Sequence, residues 1–263
     1  MFNFVLIFTC PDQPGIVSAL STWLYKLEAN ITAADQYSTC STNGQFFIRI
    51  ESCLPDKTKS IAQLKESIDP IASNFNAQYE LIDPSIPLQM GILASGTSHC
   101  LAELLYRAKS KTLNVEIPLI ISNHENHQAL ADSYNIPYYY IPAITEDRKE
   151  KEILELLHDK TDFLVLARYM QILSKSFLSA YSHPIINIHH SFLPSFKGQN
   201  PYQQAFDRGV KIIGATAHYV TEELDEGPVI SQNIIHISHK DSVESMKQKG
   251  SHIEKLVLAE AVE

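Results

Sequence analysis

Phe2, Phe4, Leu6 and Phe8 alternate along residues 2–9, which is the period of a strand with one buried face. After Asp12-Gln13-Pro14-Gly15 the period lengthens. Ile16, Leu20, Trp23, Leu24 and Leu27 recur at helical spacing. Residues 31–41 read as extended, Asn43-Gly44 as a hairpin turn, and Gln45–Ser52 as the returning strand. Ile61, Leu64, Ile68 and Ile71 give residues 57–73 an apolar helical face, and residues 76–82 form a fourth strand. The resulting order, β-α-β-β-α-β, is the ferredoxin-like arrangement.

Asp83-Pro84-Ser85-Ile86-Pro87 breaks both periods. Two prolines so close favour an extended connector, so the pattern predicts one domain over 1–83, a linker at 84–87 and a second domain over 88–263. In the second domain short apolar runs (88–94, 117–122, 137–140, 163–167, 185–188) alternate with helical patterns (99–109, 126–134, 147–158, 174–181). This alternation predicts a Rossmann-like, mostly parallel, doubly wound α/β sheet. Two longer strands follow at 210–219 and 228–237. A helical pattern then runs from about Asp241 to Glu263 without a Gly, Asn or Pro stop signal. Either that helix frays, or the chain is short of its natural end.

Composition narrows the function. Of 263 residues 44% are hydrophobic and 19% charged, enough apolar content for a sizeable core. The net charge of −9 argues against broad nucleic-acid or anionic-membrane surfaces as partners. Cys10, Cys40, Cys53 and Cys100 lack CxxC spacing and read as reduced thiols of a cytoplasmic protein. The N-terminus lacks a basic n-region and reads as a strand rather than a signal peptide.

Residues 187–232 hold the densest chemistry: Asn187-Ile188-His189-His190, Lys197-Gly198-Gln199-Asn200-Pro201-Tyr202, His218 and Asp225-Glu226-Gly227-Pro228. Asn187 ends a strand, and ligands bind at that edge of open α/β sheets. Two residues apart on extended chain, Asn187 and His189 project to one side, where an amide and an imidazole suit a carbonyl oxygen gaining negative charge. Asp225 falls in a turn rich in acids, either as a proton-accepting carboxylate or as solvated surface. Adjacent His189 and His190 should point to opposite faces, a poor metal half-site, so no metal is expected.

The motifs LASGTSHCLAELLYR (93–107), ISNH (121–124), LARYMQILS (166–174) and the whole stretch 187–232 closely resemble the folate-dependent formyltransferase-like hydrolases, formyltetrahydrofolate deformylases among them. The first 82 residues resemble an ACT domain. Together the resemblances cover essentially the whole chain. They imply hydrolysis of 10-formyltetrahydrofolate to formate and tetrahydrofolate, with folate as substrate and no separate cofactor. The implied catalytic residues are Asn187 and His189, polarising the formyl oxygen, and Asp225, positioning water and relaying protons. Arg168, Met170, Gln171 and Ile172 match the segment beside the pterin pocket, and His218 lines the same site. Arg168 would either meet the folate's acidic tail or pair with a neighbouring acid. The ACT resemblance implies an amino-acid effector at Asp12, Gly15 and Ile16, or simple assembly of a homo-oligomer, a dimer or tetramer. Asp12 alternatively caps the helix.

Two departures from the family pattern stand out. Gln199 follows the loop glycine where a small residue is usual, and the family usually continues past the final helix. Two rival readings use the same residues: a transferase with an amine acceptor, and a folate-binding sensor without turnover. The turn Ser95-Gly96-Thr97-Ser98-His99 has one glycine and no Lys or Arg, a poor cradle for a phosphorylated acceptor. His190 and Phe192 look like the hydrolase branch.

Overall fold

In the computed structural model, which describes residues 1–40, 44–55, 60–142, 149–195 and 200–263, the chain divides into two compact units, Met1–Ile86 and Pro87–Glu263. The hairpin residue Asn43, residues 57–59 and 147–148 of two expected helices, and Lys197, Gly198 and Gln199 lie outside the described residues.

The first unit runs β1 (Phe2–Pro11), α1 (Ile16–Lys26), β2 (Asn30–Ser38), β3 (Gln45–Leu54), α2 (Ile61–Phe75) and β4 (Gln78–Ile82). Its sheet has the order β2-β3-β1-β4, antiparallel at each pairing. Phe4, Leu6 and Phe8 meet Leu20, Trp23 and Leu24 of α1 and Leu64 and Ile68 of α2 in one core. Complete burial of each such side chain contributes roughly 1.5–3 kcal/mol. Gly15 starts α1 at φ 98°, in the left-handed region that only glycine enters without penalty. Asp12 does not cap α1, which has no side-chain cap. Its carboxylate instead accepts a 2.5 Å hydrogen bond from Ser38 Oγ on β2.

The second unit runs β5 (Leu88–Ala94), α3 (His99–Lys109), β6 (Val115–Glu116), β7 (Ile120–Ser122), α4 (Gln128–Ser133), β8 (Tyr138–Tyr140), α5 (Glu150–Leu157), β9 (Phe163–Ala167), α6 (Lys175–Ala180), β10 (Ile185–His189), α7 (Pro201–Asp207), β11 (Ile212–Tyr219), β12 (Val229–His236) and α8 (Val243–Val262). The sheet order is β12-β11-β10-β9-β5-β7-β8, with β6 beside β5. The pairs from β8 to β10 are parallel, and β11 and β12 return antiparallel. Alternate residues of the central strands feed two cores. Met90, Ile92, Val165, Ile186 and Ile188 pack under Leu101, Leu104, Val257 and Leu258 of α3 and α8. Leu93, Leu164, Leu166 and Ile185 pack under Leu157 and Phe177 of α5 and α6. Burial on both faces is why these strands read as continuous apolar runs.

The structure departs from the sequence expectation at a few elements. The run at 117–122 is a strand only over Ile120–Ser122, preceded by the two-residue β6. α7 was not expected. It is short, and its first turn carries Pro201, which at that place removes no needed N–H. α8 is capped by Ser242, whose Oγ accepts from Ser245 N.

Gly250, within α8, lies against Tyr202 of α7. A Cβ there would sit 1.9 Å from Tyr202 Oη and 2.5 Å from Cζ. Glycine to alanine in a helix interior ordinarily stabilises by about 1 kcal/mol. At Gly250 the buried Tyr202 ring has to move, so Gly250→Ala is expected to destabilise the chain by roughly 1–3 kcal/mol. Denaturant unfolding measures the sign, and a more stable variant would refute the packing argument.

Candidate active site

The sheet brings the site together at the carboxyl ends of β5, β9 and β10. β9 and β10 run parallel with Leu166 beside Asn187, and β11 runs antiparallel with His218 opposite Asn187. Asn187 Nδ2 consequently lies 3.2 Å from His218 Nε2. His218 Nδ1 is 2.9 Å from the Tyr219 carbonyl, which can only accept. That bond places a hydrogen on Nδ1, and Nε2 faces both the Asn187 amide and the Asp225 carboxylate.

Asp225 reaches the same place from the loop between β11 and β12. Its backbone is left-handed, φ 56°, which turns the side chain inward. Asp225 Oδ2 is 3.3 Å from His189 Nδ1, and Oδ1 is 3.6 Å from His218 Nε2. The carboxylate is 13% exposed, so the solvated acidic turn allowed by sequence is not what forms. The return to β12 is tight, since a Cβ on Gly227 would fall 1.8 Å from the Tyr219 carbonyl oxygen. Burial pushes the Asp225 carboxyl up, but hydrogen bonds from His189 and then His218 outweigh it and hold the group well below the usual carboxylate range. His189 Nε2 is buried and has no hydrogen-bond partner among the described residues, which leaves it available to a bound substrate.

Beside this cluster opens a cavity of about 400 Å³. One wall is the segment 168–173 after β9, the other is the 220–225 loop, and the floor is Asn187, His189, His190 and His218. Every residue that the sequence placed at the catalytic and folate sites lines it: Asn187, His189, Asp225, His218, Arg168, Met170, Gln171 and Ile172. Met170, Ile172 and Leu224 expose more than half of their surfaces around it, an apolar clamp suited to a flat heteroaromatic ring. The expectation that His189 and His190 point apart is corrected. β10 ends at His189 and the chain turns, so both rings line the cavity, 5.2 Å between centroids.

Several residues of the site lie in or near the family motifs, yet sequence alone does not assign them these roles. Ser95, at the end of β5, accepts the Met170 N–H at 2.9 Å, and its Oγ is 2.6 Å from Asn123 Oδ1. The buried His127 bonds the Ser95 carbonyl, so this knot fixes the 168–173 wall. Thr216 Oγ1 donates to the Ser191 carbonyl and accepts from Leu193 N, tying the segment after β10 to β11. Glu254 of α8 is buried at 3% exposure, with Oε2 2.8 Å from His99 Nε2 and 3.2 Å from Arg168 Nε, and Oε1 accepting from Tyr202 at 2.5 Å. Arg168 therefore pairs with a neighbouring acid, the second of its two expected roles. Its Nε–H makes an ion pair without being aimed at the oxygen. His99, Cys100 and Glu254 lie close enough to share an ion, but the Arg168 cation and the Tyr202 proton already hold the carboxylate, and burial keeps the Cys100 thiol protonated.

A formyl transferase family profile matches residues 88–262 and an ACT domain profile matches residues 4–69. A formyltetrahydrofolate deformylase from Bacillus subtilis (strain 168) is 46% identical over 260 residues, 98% of this chain and 87% of that protein. The chain belongs to the formyltetrahydrofolate deformylase family. The crystal structure of a member from Pseudomonas syringae pv. tomato superposes with a TM-score of 0.93 at 42% identity, covering all of this chain and 89% of that one. The phosphoribosylglycinamide formyltransferase of Anaplasma phagocytophilum matches 64% of this chain and 81% of its own at a TM-score of 0.61 and 36% identity. The family's catalytic fold is therefore shared with transferases. The ACT match falls within the unit that folds as βαββαβ.

Glu254 gives the site a measurable acid dependence. Burial raises its pKa, but His99, the Arg168 charge and Tyr202 outweigh that and bring it down from 4.5 to about 2. A carboxylate depressed on folding stabilises fully above its unfolded value and loses that contribution as pH falls through the folded one. The stability gap between wild type and Glu254→Gln is expected to be constant above about pH 5 and to shrink between about pH 4.5 and 2. Urea titrations at pH 7 and pH 3 check this, and an equal gap at both would contradict it.

Proposed function

We propose that this chain hydrolyses 10-formyltetrahydrofolate to formate and tetrahydrofolate. The observation that carries the proposal is the Asp225 carboxylate, ionised and held between His189 and His218 beside the Asn187 amide, at the floor of the cavity. The pterin ring lies between the 168–173 wall and the 220–225 loop, meeting the Met170, Gln171 and Ile172 segment. The formyl group points down to Asn187 and His189.

Asp225 accepts a proton from water as the water oxygen adds to the formyl carbon. A hydrogen on Asn187 Nδ2 and one on His189 Nε2, the ring also carrying the Nδ1 hydrogen that Asp225 accepts, bind the oxyanion as it forms. The proton then passes to the folate nitrogen as the C–N bond breaks, giving formate and tetrahydrofolate. Asn187 and His189 sit on a strand rather than a mobile loop, so their donors are fixed before charge develops, which makes such donors effective. Water and these side chains suffice for the reaction as written, without a separate cofactor or metal.

Formate release should proceed with 10-formyltetrahydrofolate alone. Asp225→Asn should lower turnover on the order of 10²–10⁴-fold without unfolding the chain. A formate assay with and without an added amine acceptor checks both statements. Release that requires the acceptor would favour the transferase reading, and tight folate binding without any release would favour the sensor reading.

The first unit supports a second, regulatory part of the proposal. A hollow of about 610 Å³ is lined by Gly15, Ser18, Thr22, Trp23, Lys26 and Ser67. Gly15 contributes open backbone there, Asp12 is tied to Ser38, and Ile16 is 2% exposed and belongs to the core. We infer that an amino acid binds in this hollow along α1 and that the unit assembles the chain into a homo-oligomer. The protein would work in the cytoplasm, supplying formate for purine synthesis. Among the described residues no helix is long and apolar enough to cross a membrane. A thermal-shift screen of the amino acids is expected to find at least one that raises the melting temperature, and a flat screen would remove the effector from the proposal.

A further inference from the structure

Hydrolase and transferase share this catalytic fold, so some feature of a hydrolase must keep amines from the formyl carbon. That carbon is bracketed in the main cavity by the 168–173 wall and the 220–225 loop, both given over to the folate. His190 also lines that cavity. A second cavity of about 250 Å³, lined by Phe192, Tyr202, Ile213 and other mostly apolar residues, also meets His190. Among the described residues, His190 is the one common to the linings of the two cavities.

The partition between the cavities is built and braced. The His190 ring stands edge-on to the Tyr202 ring, centroids 5.9 Å apart. The Tyr202 hydroxyl is bonded to Glu254, which also pairs with Arg168 and His99. Arg168 follows β9 at the level where β10 ends in His189, and its backbone is left-handed, φ 61°, a conformation that non-glycine residues rarely adopt. Glycine is the residue suited to that turn. A half-buried arginine in a glycine conformation, tied to a buried carboxylate on a distant helix, is costly unless its side chain is needed where it stands. The hydrolytic steps above use neither Arg168, Tyr202 nor Glu254.

We propose that Arg168, Tyr202 and Glu254 form, with His190, a wall that closes the acceptor side of the reaction centre and so confines formyl transfer to water. The proposal rests on the hydrolase reading. Arg168, Tyr202 and Glu254 are positioning residues, and what they set is the identity of the nucleophile. With the wall open, a primary amine takes the place of water. Its nitrogen adds to the formyl carbon, one amine proton passes to Asp225, the C–N bond to the folate breaks, and the folate nitrogen takes the proton. The products are a formamide and tetrahydrofolate.

The test is a partition experiment on the full chain. Wild type, the double variant Arg168→Gly/Glu254→Gln and Tyr202→Ala are each incubated with 10-formyltetrahydrofolate and a fixed concentration of glycinamide. N-formylglycinamide and formate are measured against an enzyme-free control. Glycine relieves the left-handed turn, and the paired Glu254→Gln avoids an unpaired buried charge. The ratio of formamide to formate is expected to rise on the order of tenfold or more in both variants and to stay at the control level in wild type. A wall that only supported the fold would lower total turnover and leave that ratio unchanged, which would sink the proposal. So would a folded variant releasing no formyl group at all, because Arg168 or Tyr202 would then belong to the hydrolytic machinery. Wild type alone supplies a test independent of any variant, since formylation of glycinamide by the unaltered chain means that no wall exists. Formate release by wild type without amine is measured first. Its absence would count against the hydrolase reading itself and not against the wall.

Discussion

The register of β10 against its two neighbours is the constraint on which the catalytic cavity depends. Parallel pairing with β9 sets Leu166 beside Asn187, and antiparallel pairing with β11 sets His218 opposite it. The side-chain period of a strand is two, so a one-residue slip would turn Asn187 and His189 to the other face. Ile186 and Ile188 prevent that slip, because they are buried in the core beneath α3 and α8. The same apolar packing that stabilises the sheet therefore aims the polar residues.

Electrostatics then fixes what the aimed residues can do. A carboxylate at 13% exposure is costly on its own, and Asp225 is held ionised only because two imidazoles meet its two oxygens. Its left-handed backbone and the close passage of Gly227 past Tyr219 hold it to that place. A second buried carboxylate, Glu254, is satisfied by a different set of partners one layer away. Between the two stands His190. Burial, and then the positive charge of Arg168, push its pKa down to about 4, so it remains a neutral ring at the edge of the site. Two carboxylates with separate partners thus serve separate tasks, one in proton transfer and one in bracing the wall.

Much of the fold was legible in the pattern of apolar positions. The strand at Leu88–Ala94, the helix at His99–Lys109 and the strand at Phe163–Ala167 fall where the periodicity put them. Their boundaries coincide with changes of period, and both faces of the strands are buried, so the signal is strong. α7 escaped because seven residues give too few turns for a period to register. Residues 117–119 escaped for a related reason, since apolarity there reflects packing beside β7 rather than pairing within it. At the site, the two-residue spacing of Asn187 and His189 already placed both on one side. The family motifs singled out Asp225, whose neighbours Glu222, Glu223 and Glu226 are acidic as well.

What sequence by itself determined is local: the periods of the elements, the change of pattern at Asp83-Pro84-Ser85-Ile86-Pro87, the Asn-x-His spacing on a strand, and a surface too acidic for broad binding to polyanions. These follow from contacts between residues a few positions apart, or from composition. Only the tertiary structure decided which acid of the 222–226 turn is buried and that Asp12 bonds Ser38 rather than capping α1. It also decided that His190 shares a cavity with His189, and that Glu254, some 86 residues from Arg168, is its partner. Each of these turns on the burial of a polar group. The cost of burying it is set by which distant partners reach it, and those distances exist only once the sheet has closed.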